Sequence, residues 1–136
     1  MNIWLVTREY AGIAEAGGVK NVACSLSENL VALGHHVTAF MPLYGCSDIS
    51  HLDDFCCFWH RPVVVSVLHR QHIVTFSHGL LRGVEIVFIT NQSFSQKQGV
   101  YTYTLSEEER DRTCVRGSGH KDAQFLNALF QKAVAA

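Results

Sequence analysis

The feature that most constrains this chain is the run from Ile3 to Leu33. An apolar stretch, Ile3-Trp4-Leu5-Val6, breaks into a loop from Thr7 to Gly18. A long periodicity follows, in which Val19, Val22, Ala23, Leu26, Leu30 and Leu33 recur at steps of three and four. That spacing puts them on one face of an α-helix, and Gly34 stands where a left-handed C-terminal cap would. The stretch therefore reads as strand, loop, helix, with Gly17-Gly18 at the helix N-terminus. Backbone N–H groups there have no intrahelical partner and the helix dipole is positive, so an anion such as a diphosphate is favoured. A diglycine can equally serve to open the loop and let helix and strand pack closely.

A second apolar run, His36 to Met41, comes directly after this helix, and a right-handed βαβ unit with parallel strands is the simplest closure. Pro42 ends that strand because it has no N–H to donate, and Leu43–Asp54 reads as loop. Beyond Pro62 the period changes. Val63–Leu68, Ile73–Ser77 and Val84–Ile89 are β-branched or aromatic runs joined by short polar links, so they read as antiparallel neighbours. Val84–Ile89 is nearly all apolar, as suits a strand buried on both faces, and the two runs before it suit a hairpin at its edge. Asn91–Tyr103 reads as loop, and Ser106 with Glu109 has the capping-box pattern for a helix of one or two turns. A last helix is expected from about His120, with Phe125, Leu126, Leu129, Phe130 and Ala133 as its apolar stripe. The fold class expected is α/β: a Rossmann-like parallel sheet with helices on its faces and an added antiparallel hairpin, in one domain over 1–136.

Charge and composition exclude several classes of function. Net charge is −1, which gives no footprint for nucleic acid or for an anionic membrane surface, and no apolar run approaches the length of a membrane span. The short Ile3–Val6 run follows only Met1-Asn2 and lacks a basic n-region, so a cytoplasmic location is expected. Five cysteines, an odd number, fit reduced thiols better than a disulfide framework. His51, Cys56, Cys57 and His60 are close in sequence, and His69 and His72 flank a turn, but no Cys-x2-4-Cys pair announces a zinc site. Neither a G-x-G-x-x-G fingerprint nor a P-loop is present, and Ser118-Gly119-His120 lacks the strand–turn–helix context of a nucleophile elbow. No metal, no cofactor and no catalytic residue is expected.

Arg8 to Val22, R-E-Y-A-G-I-A-E-A-G-G-V-K-N-V, resembles the N-terminal signature of glycogen and starch synthases, S-E-x-x-P-F-x-K-x-G-G-[LV]-A-D-V. Later segments resemble the family in order: Leu33–Val37 its L-G-H-x-V, Met41–Gly45 its L-P-x-Y-G, Gly83–Ile89 its G-V-x-V-Y-F-I, and Gln124–Ala133 its R-F-x-x-F-S-x-A. The resemblance implies the N-terminal part of a two-domain (GT-B) glycosyltransferase catalytic domain. It also implies transfer of glucose from ADP-glucose, or less readily UDP-glucose, to an α-1,4-glucan. In the family the last helix leads to further strands, a His-Asp-Trp-like segment and a second Rossmann-like domain with an E-x7-E motif. Against that pattern the chain is expected to be incomplete and inactive alone, supplying one wall of a cleft.

The resemblance implies substrate-binding positions at Glu9, near the sugar cleft, and at Gly17 and Gly18 on the donor diphosphate. A solvated loop carboxylate is the other reading of Glu9. At Glu15 the family carries a Lys that stabilises the leaving diphosphate. A carboxylate there repels what an ammonium attracts, and Lys20 would have to reach across from the helix. Asn21 replaces the family Asp, Gly12 its Pro, Gln124 its Arg and His120 a preceding Asp. Charged positions have changed while apolar ones persist. Two alternatives remain: a non-catalytic module that binds glucan or associates with a synthase domain, and a piece of a longer enzyme. An uncovered sheet edge or terminal helix is expected to drive association with another copy or with a synthase domain.

Overall fold

A computed structural model describes residues 1–136. The strands are β1 (Asn2–Val6), β2 (His36–Pro42), β3 (Asp53–Val67), β4 (Arg70–Leu81) and β5 (Val84–Thr90). The helices are α1 (Val19–Ala32), α2 (Gln92–Ser95), α3 (Leu105–Arg110) and α4 (Ala123–Ala135). All five strands form one sheet in the order β1-β2-β5-β4-β3. β1, β2 and β5 run parallel, and β4 and β3 continue antiparallel from β5. This is the α/β arrangement expected, with the hairpin on one side of the parallel strands. No helix is long and apolar enough to cross a membrane.

Side-chain alternation divides the sheet into two faces. Ile3, Leu5, Val37, Ala39, Met41, Ile86 and Phe88 share one row across the registered strands. Trp4, Val6, Phe40, Val87, Ile89, Phe76, Val74 and His72 share the other. α4 lies on the second face, where Phe125 packs its ring against His72 at 4.9 Å, and Leu126, Leu129, Phe130 and Ala133 are buried. The core is continuous, and it holds the centre of β5 with Ile86, Val87, Phe88 and Ile89 almost fully buried.

The structure corrects several expectations. The links in the hairpin region shrink to two residues each. Leu68-His69 and Arg82-Gly83 all have positive φ, as the right-handed strand twist demands of a type I′ turn. β3 begins at Asp53, inside the stretch read as loop. Its polar start and three register shifts disguise the strand, because each extra residue breaks the period-two alternation. α2 lies in the expected loop after Asn91, whose side chain caps it by accepting the Ser93 N–H. The capping box is built by Thr104 and Glu107 rather than Ser106 and Glu109. Two Ser/Thr-x-x-Glu patterns overlap here, and Glu107 reaches back to the Thr104 N–H at 2.8 Å.

In α1, four of the six residues of the apolar stripe are exposed: Val22 keeps 65% of its surface, Leu26 46%, and Val19 and Leu33 are also exposed, while Ala23 is buried and Leu30 packs against the core. The buried residues are the small ones, Ala23, Cys24 and Ser27. Periodicity reports that a helix owns an apolar stripe, and burial of that stripe requires a neighbour against it.

Candidate functional site

In open α/β sheets ligands bind beyond the carboxyl ends of parallel strands. β1 delivers Thr7, Arg8, Glu9 and Tyr10 to that end. Tyr10 is fully buried and its hydroxyl lies 2.5 Å from Ser27 Oγ on α1, so it bolts the loop to the helix. Burial pushes the Tyr10 phenol up to about 12, against the lowering effect of the Ser27 hydrogen bond.

Glu9 is 1% exposed. One carboxylate oxygen accepts the N–H groups of Ala16 at 2.9 Å and Gly17 at 2.7 Å, and the other accepts the Tyr101 hydroxyl at 3.4 Å. These are charge-assisted bonds, and the shorter one has the length typical of N–H to carboxylate. Tyr101 is itself raised, by burial first and by the Glu9 charge second. Glu9 is therefore not a solvated loop carboxylate. It holds the descending loop and takes up one of the two diglycine N–H groups.

The glycines differ in what the fold asks of them. A Cβ at Gly17 would sit 3.4 Å from the Glu9 carboxylate, an ordinary contact. Gly18 has φ −82° and ψ −19°, a conformation open to any residue, and a Cβ there would meet nothing within 4 Å. Neither backbone geometry nor packing within the chain requires glycine at 18. Glu15 is exposed. Its carboxylate accepts the Gly12 N–H at 3.1 Å and lies 3.9 Å from Lys20 Nζ, so the one nearby ammonium is already paired with it. Exposed pairs of this length contribute little stability.

Between this loop and the segment after β2 lies a hollow of about 420 Å³, lined by Gly12, Glu15, Cys46, Asp48, His51 and Gln98. Both carboxylates in its lining work against an anion. Hydrogen bonds from the Ser50 hydroxyl and N–H hold Asp48 below the ordinary carboxylate range, with a smaller effect from His51.

Arg8, which the sequence reading did not single out, ties the elements around the candidate site together. Its guanidinium donates to the Tyr44 hydroxyl (3.3 Å), Asn127 Oδ1 (3.1 Å) and the Val100 carbonyl (3.0 Å), and stacks over the Tyr101 ring at 4.8 Å. It joins β1, the segment after β2, the loop before α3 and α4. The only signal available was an arginine two residues beyond an apolar strand. A second polar cluster lies beneath that loop. Lys97 pairs with Asp122 at 2.9 Å, and Glu107 accepts the Thr104 and Gln98 N–H groups. Burial alone would raise Glu107, but those hydrogen bonds hold it below its ordinary value. His120 is pushed down by burial and by the Lys97 ammonium. No three His, Cys, Asp or Glu side chains converge to hold a metal ion, and all five cysteines are free thiols.

The structure thus brings Glu9, Gly17 and Gly18 together at one end of the sheet, with Glu15 on the outer side of the same loop. Comparison with known proteins gives the following. The profile of the starch synthase catalytic domain matches residues 2–136. Glycogen synthase of Syntrophotalea carbinolica is 32% identical over 103 residues, covering 74% of this chain and 20% of that protein. Starch synthase 1 of Triticum aestivum is 32% identical over 102 residues, covering 74% of this chain and 16% of the relative. The catalytic domain of starch synthase IV from Arabidopsis thaliana, solved bound to ADP and acarbose, superposes with a TM-score of 0.65. It is 21% identical over 80% of this chain and 22% of that structure. The chain spans about a fifth of the length of the relatives it matches.

Proposed function

This chain belongs to the starch synthase catalytic-domain family, and we propose that its Gly17-Gly18 loop forms the donor-side wall of a site for glucosyl transfer. The transfer is from ADP-glucose to the end of an α-1,4-glucan. The observation that carries this reading is Gly18: a glycine the chain's own fold does not require, at a helix N-terminus on the ligand end of a parallel sheet. Absence of a side chain there leaves the backbone open to a diphosphate. The ADP and acarbose held by the Arabidopsis structure support the same substrate classes.

These residues alone supply one wall and, beside the loop's backbone N–H groups, no unpaired side-chain cation on that loop to stabilise a departing diphosphate, since Glu15 occupies the position of the family Lys and is paired with Lys20. Residues 1–136 by themselves are therefore proposed to be inactive. Five free thiols suit a reducing compartment such as the cytoplasm. A second reading, a glucan-binding or protein-interaction module without turnover, is favoured by the Glu15 and Asp48 carboxylates in the hollow beside the loop.

Calorimetric titration with ADP-glucose, and separately with a maltooligosaccharide, distinguishes the two. On the first reading Glu15→Lys strengthens ADP-glucose binding at least about tenfold, because repulsion at a partly dehydrated site becomes attraction. Maltooligosaccharide binding with no response to ADP-glucose in either form would favour the second.

A further inference from the structure

We propose that His120 is a proton-operated latch: uncharged, it keeps residues 100–103 seated over Arg8 and Glu9, and when it takes up a proton that stretch lifts. The latch bears on the donor-side wall proposed above and rests on that reading for its consequence, while its own test needs no ligand.

His120 keeps 4% of its surface, and neither ring nitrogen has a hydrogen-bond partner. A neutral imidazole carries one N–H donor, and a protonated one carries two, so protonation in place would bury a second unmet donor together with a charge. The groups facing the ring are Lys97 after α2, Tyr103, Glu107 on α3 and Asp122 at the start of α4. Tyr103 meets the imidazole edge-on at 5.0 Å, and the Lys97 ammonium lies 5.5 Å from the centre of the same Tyr103 ring. Burial and that ammonium oppose the imidazolium, and Glu107 and Asp122 favour it less strongly. Both carboxylates are already engaged: Glu107 accepts the Gln98 and Thr104 N–H groups, and Asp122 pairs with Lys97. Lys121 is exposed and turns its ammonium to the Thr113 hydroxyl. Every group named here lies within residues 97–122, and His120 is buried by this chain itself.

His120 is also one end of a short backbone ladder. Its N–H donates to the Tyr101 carbonyl at 3.2 Å, the Tyr103 N–H to Ser118 at 3.0 Å, and the Gly117 N–H to the Tyr103 carbonyl at 3.0 Å. Residues 115–119 are otherwise exposed. Few buried contacts and solvent-facing hydrogen bonds mark a segment that opens at a lower free energy than the whole domain. The other side of the ladder faces the site. Val100 gives its carbonyl to Arg8, and Tyr101 stacks on the same guanidinium and donates to Glu9. Glu9 in turn holds the Ala16 and Gly17 N–H groups. Unseating His120 therefore loosens Tyr101, lets water reach the Glu9 carboxylate and slackens the Gly17 N–H.

The direction follows from linkage. The open stretch binds a proton more readily than the closed one, so opening increases as pH falls below about 6.5, by at most about tenfold per pH unit for one proton. It levels off where the closed form is protonated as well. The wall is firm at neutral pH and slack in mild acid.

Amide hydrogen exchange of the whole chain, followed residue by residue by NMR from about pH 7.5 to about pH 5 and corrected for intrinsic rates, is the test. Protection of the Tyr103, Gly117 and His120 amides should fall several-fold, up to about tenfold, per pH unit below about 6.5, and that of Gly17 should fall with it. Low urea should leave these four rates unchanged, as a local opening requires, while it speeds exchange of the β5 amides through unfolding. His120→Phe should abolish the pH dependence at the remaining amides. Flat protection in the parent chain would overturn the proposal by itself, whether or not the variant folds. A urea response equal to that of β5 would overturn it too, since the loosening would then be global. So would a Gly17 amide that stays protected while Tyr103 and Gly117 are released, or a slope that persists in His120→Phe. Failure of ADP-glucose to bind would count against the glucosyl-transfer reading and leave each of these readouts standing.

Discussion

The two surroundings of β1 differ in kind. At its carboxyl end Arg8, Glu9 and Tyr10 each reach internal partners, and polar groups of the loop, α1, α4 and the segment before α3 are tied together. Along its outer side, apolar groups of β1 and α1 have nothing against them. The polar end is closed by the chain's own residues, while the apolar edge is open. A hydrogen-bond network is specified locally by a handful of side chains, whereas apolar burial needs a second body of matching surface.

If that contrast is right, substitutions at the closed end should cost far more than those at the open edge. Glu9→Ala should cost most, about 3 kcal/mol, because it removes two charge-assisted bonds, from the Ala16 and Gly17 N–H groups, together with the Tyr101 hydroxyl contact of a buried carboxylate. Urea denaturation measures it, and a loss below about 1 kcal/mol would mean that water replaces the carboxylate and the end is not closed. Arg8→Lys follows at about 1–2 kcal/mol, since an ammonium cannot reproduce the three-way fork and the stacking on Tyr101. Retention of full stability in Arg8→Lys would show that charge alone, and not geometry, joins these elements.

A smaller effect comes from His120. Its folded-state pKa is depressed below 6.5 by burial and Lys97, so the unfolded chain binds the proton more readily. Stability should be intact above pH about 6.5 and fall as pH drops from there through the depressed folded value. His120→Phe should flatten that part of the profile in denaturation midpoints measured at closely spaced pH. An unchanged slope would assign it to other groups. The smallest effect on the single copy is expected at the open edge: Trp4→Thr should change monomer stability by less than about 1 kcal/mol. A larger loss in the monomer would mean that the Trp4–Phe40 contact at 5.0 Å carries weight and that the edge is less open than its exposure implies.

What could be read from the sequence follows the same division. The strand, loop and helix of residues 3–33, the parallel return at β2 and the buried β5 were legible because glycine, proline and short-range apolar spacing act locally. The covered side of α1 was not, since its stripe looks alike whether a neighbour is present or absent. The first half of β3 escaped because bulges scrambled its alternation, while its regular end from Val63 was legible. At the site, Gly17 and Gly18 were legible as a loop opening a helix. The part played by Glu9 was not, because two of its partners are backbone groups seven and eight residues on, which leave no mark in a sequence, and the third, Tyr101, lies 92 residues away. Arg8 was invisible for a related reason: all four of its contacts lie on segments from 36 to 119 residues away.

The paired left-handed turns at Leu68-His69 and Arg82-Gly83 also set an order of events. They let β3, β4 and β5 zip together from chain neighbours, on the microsecond scale of hairpin formation. β2, by contrast, must wait for a strand more than forty positions further along, with Thr38 opposite Glu85. Loop closure across that span delays the parallel pairing, so the meander is expected to nucleate and the β1–α1–β2 unit to dock onto it last. In pulse-labelled exchange, amides of β4 and β5 should gain protection before those of β1. The strand with the unguarded edge is then also the one that the refolding chain leaves uncovered longest.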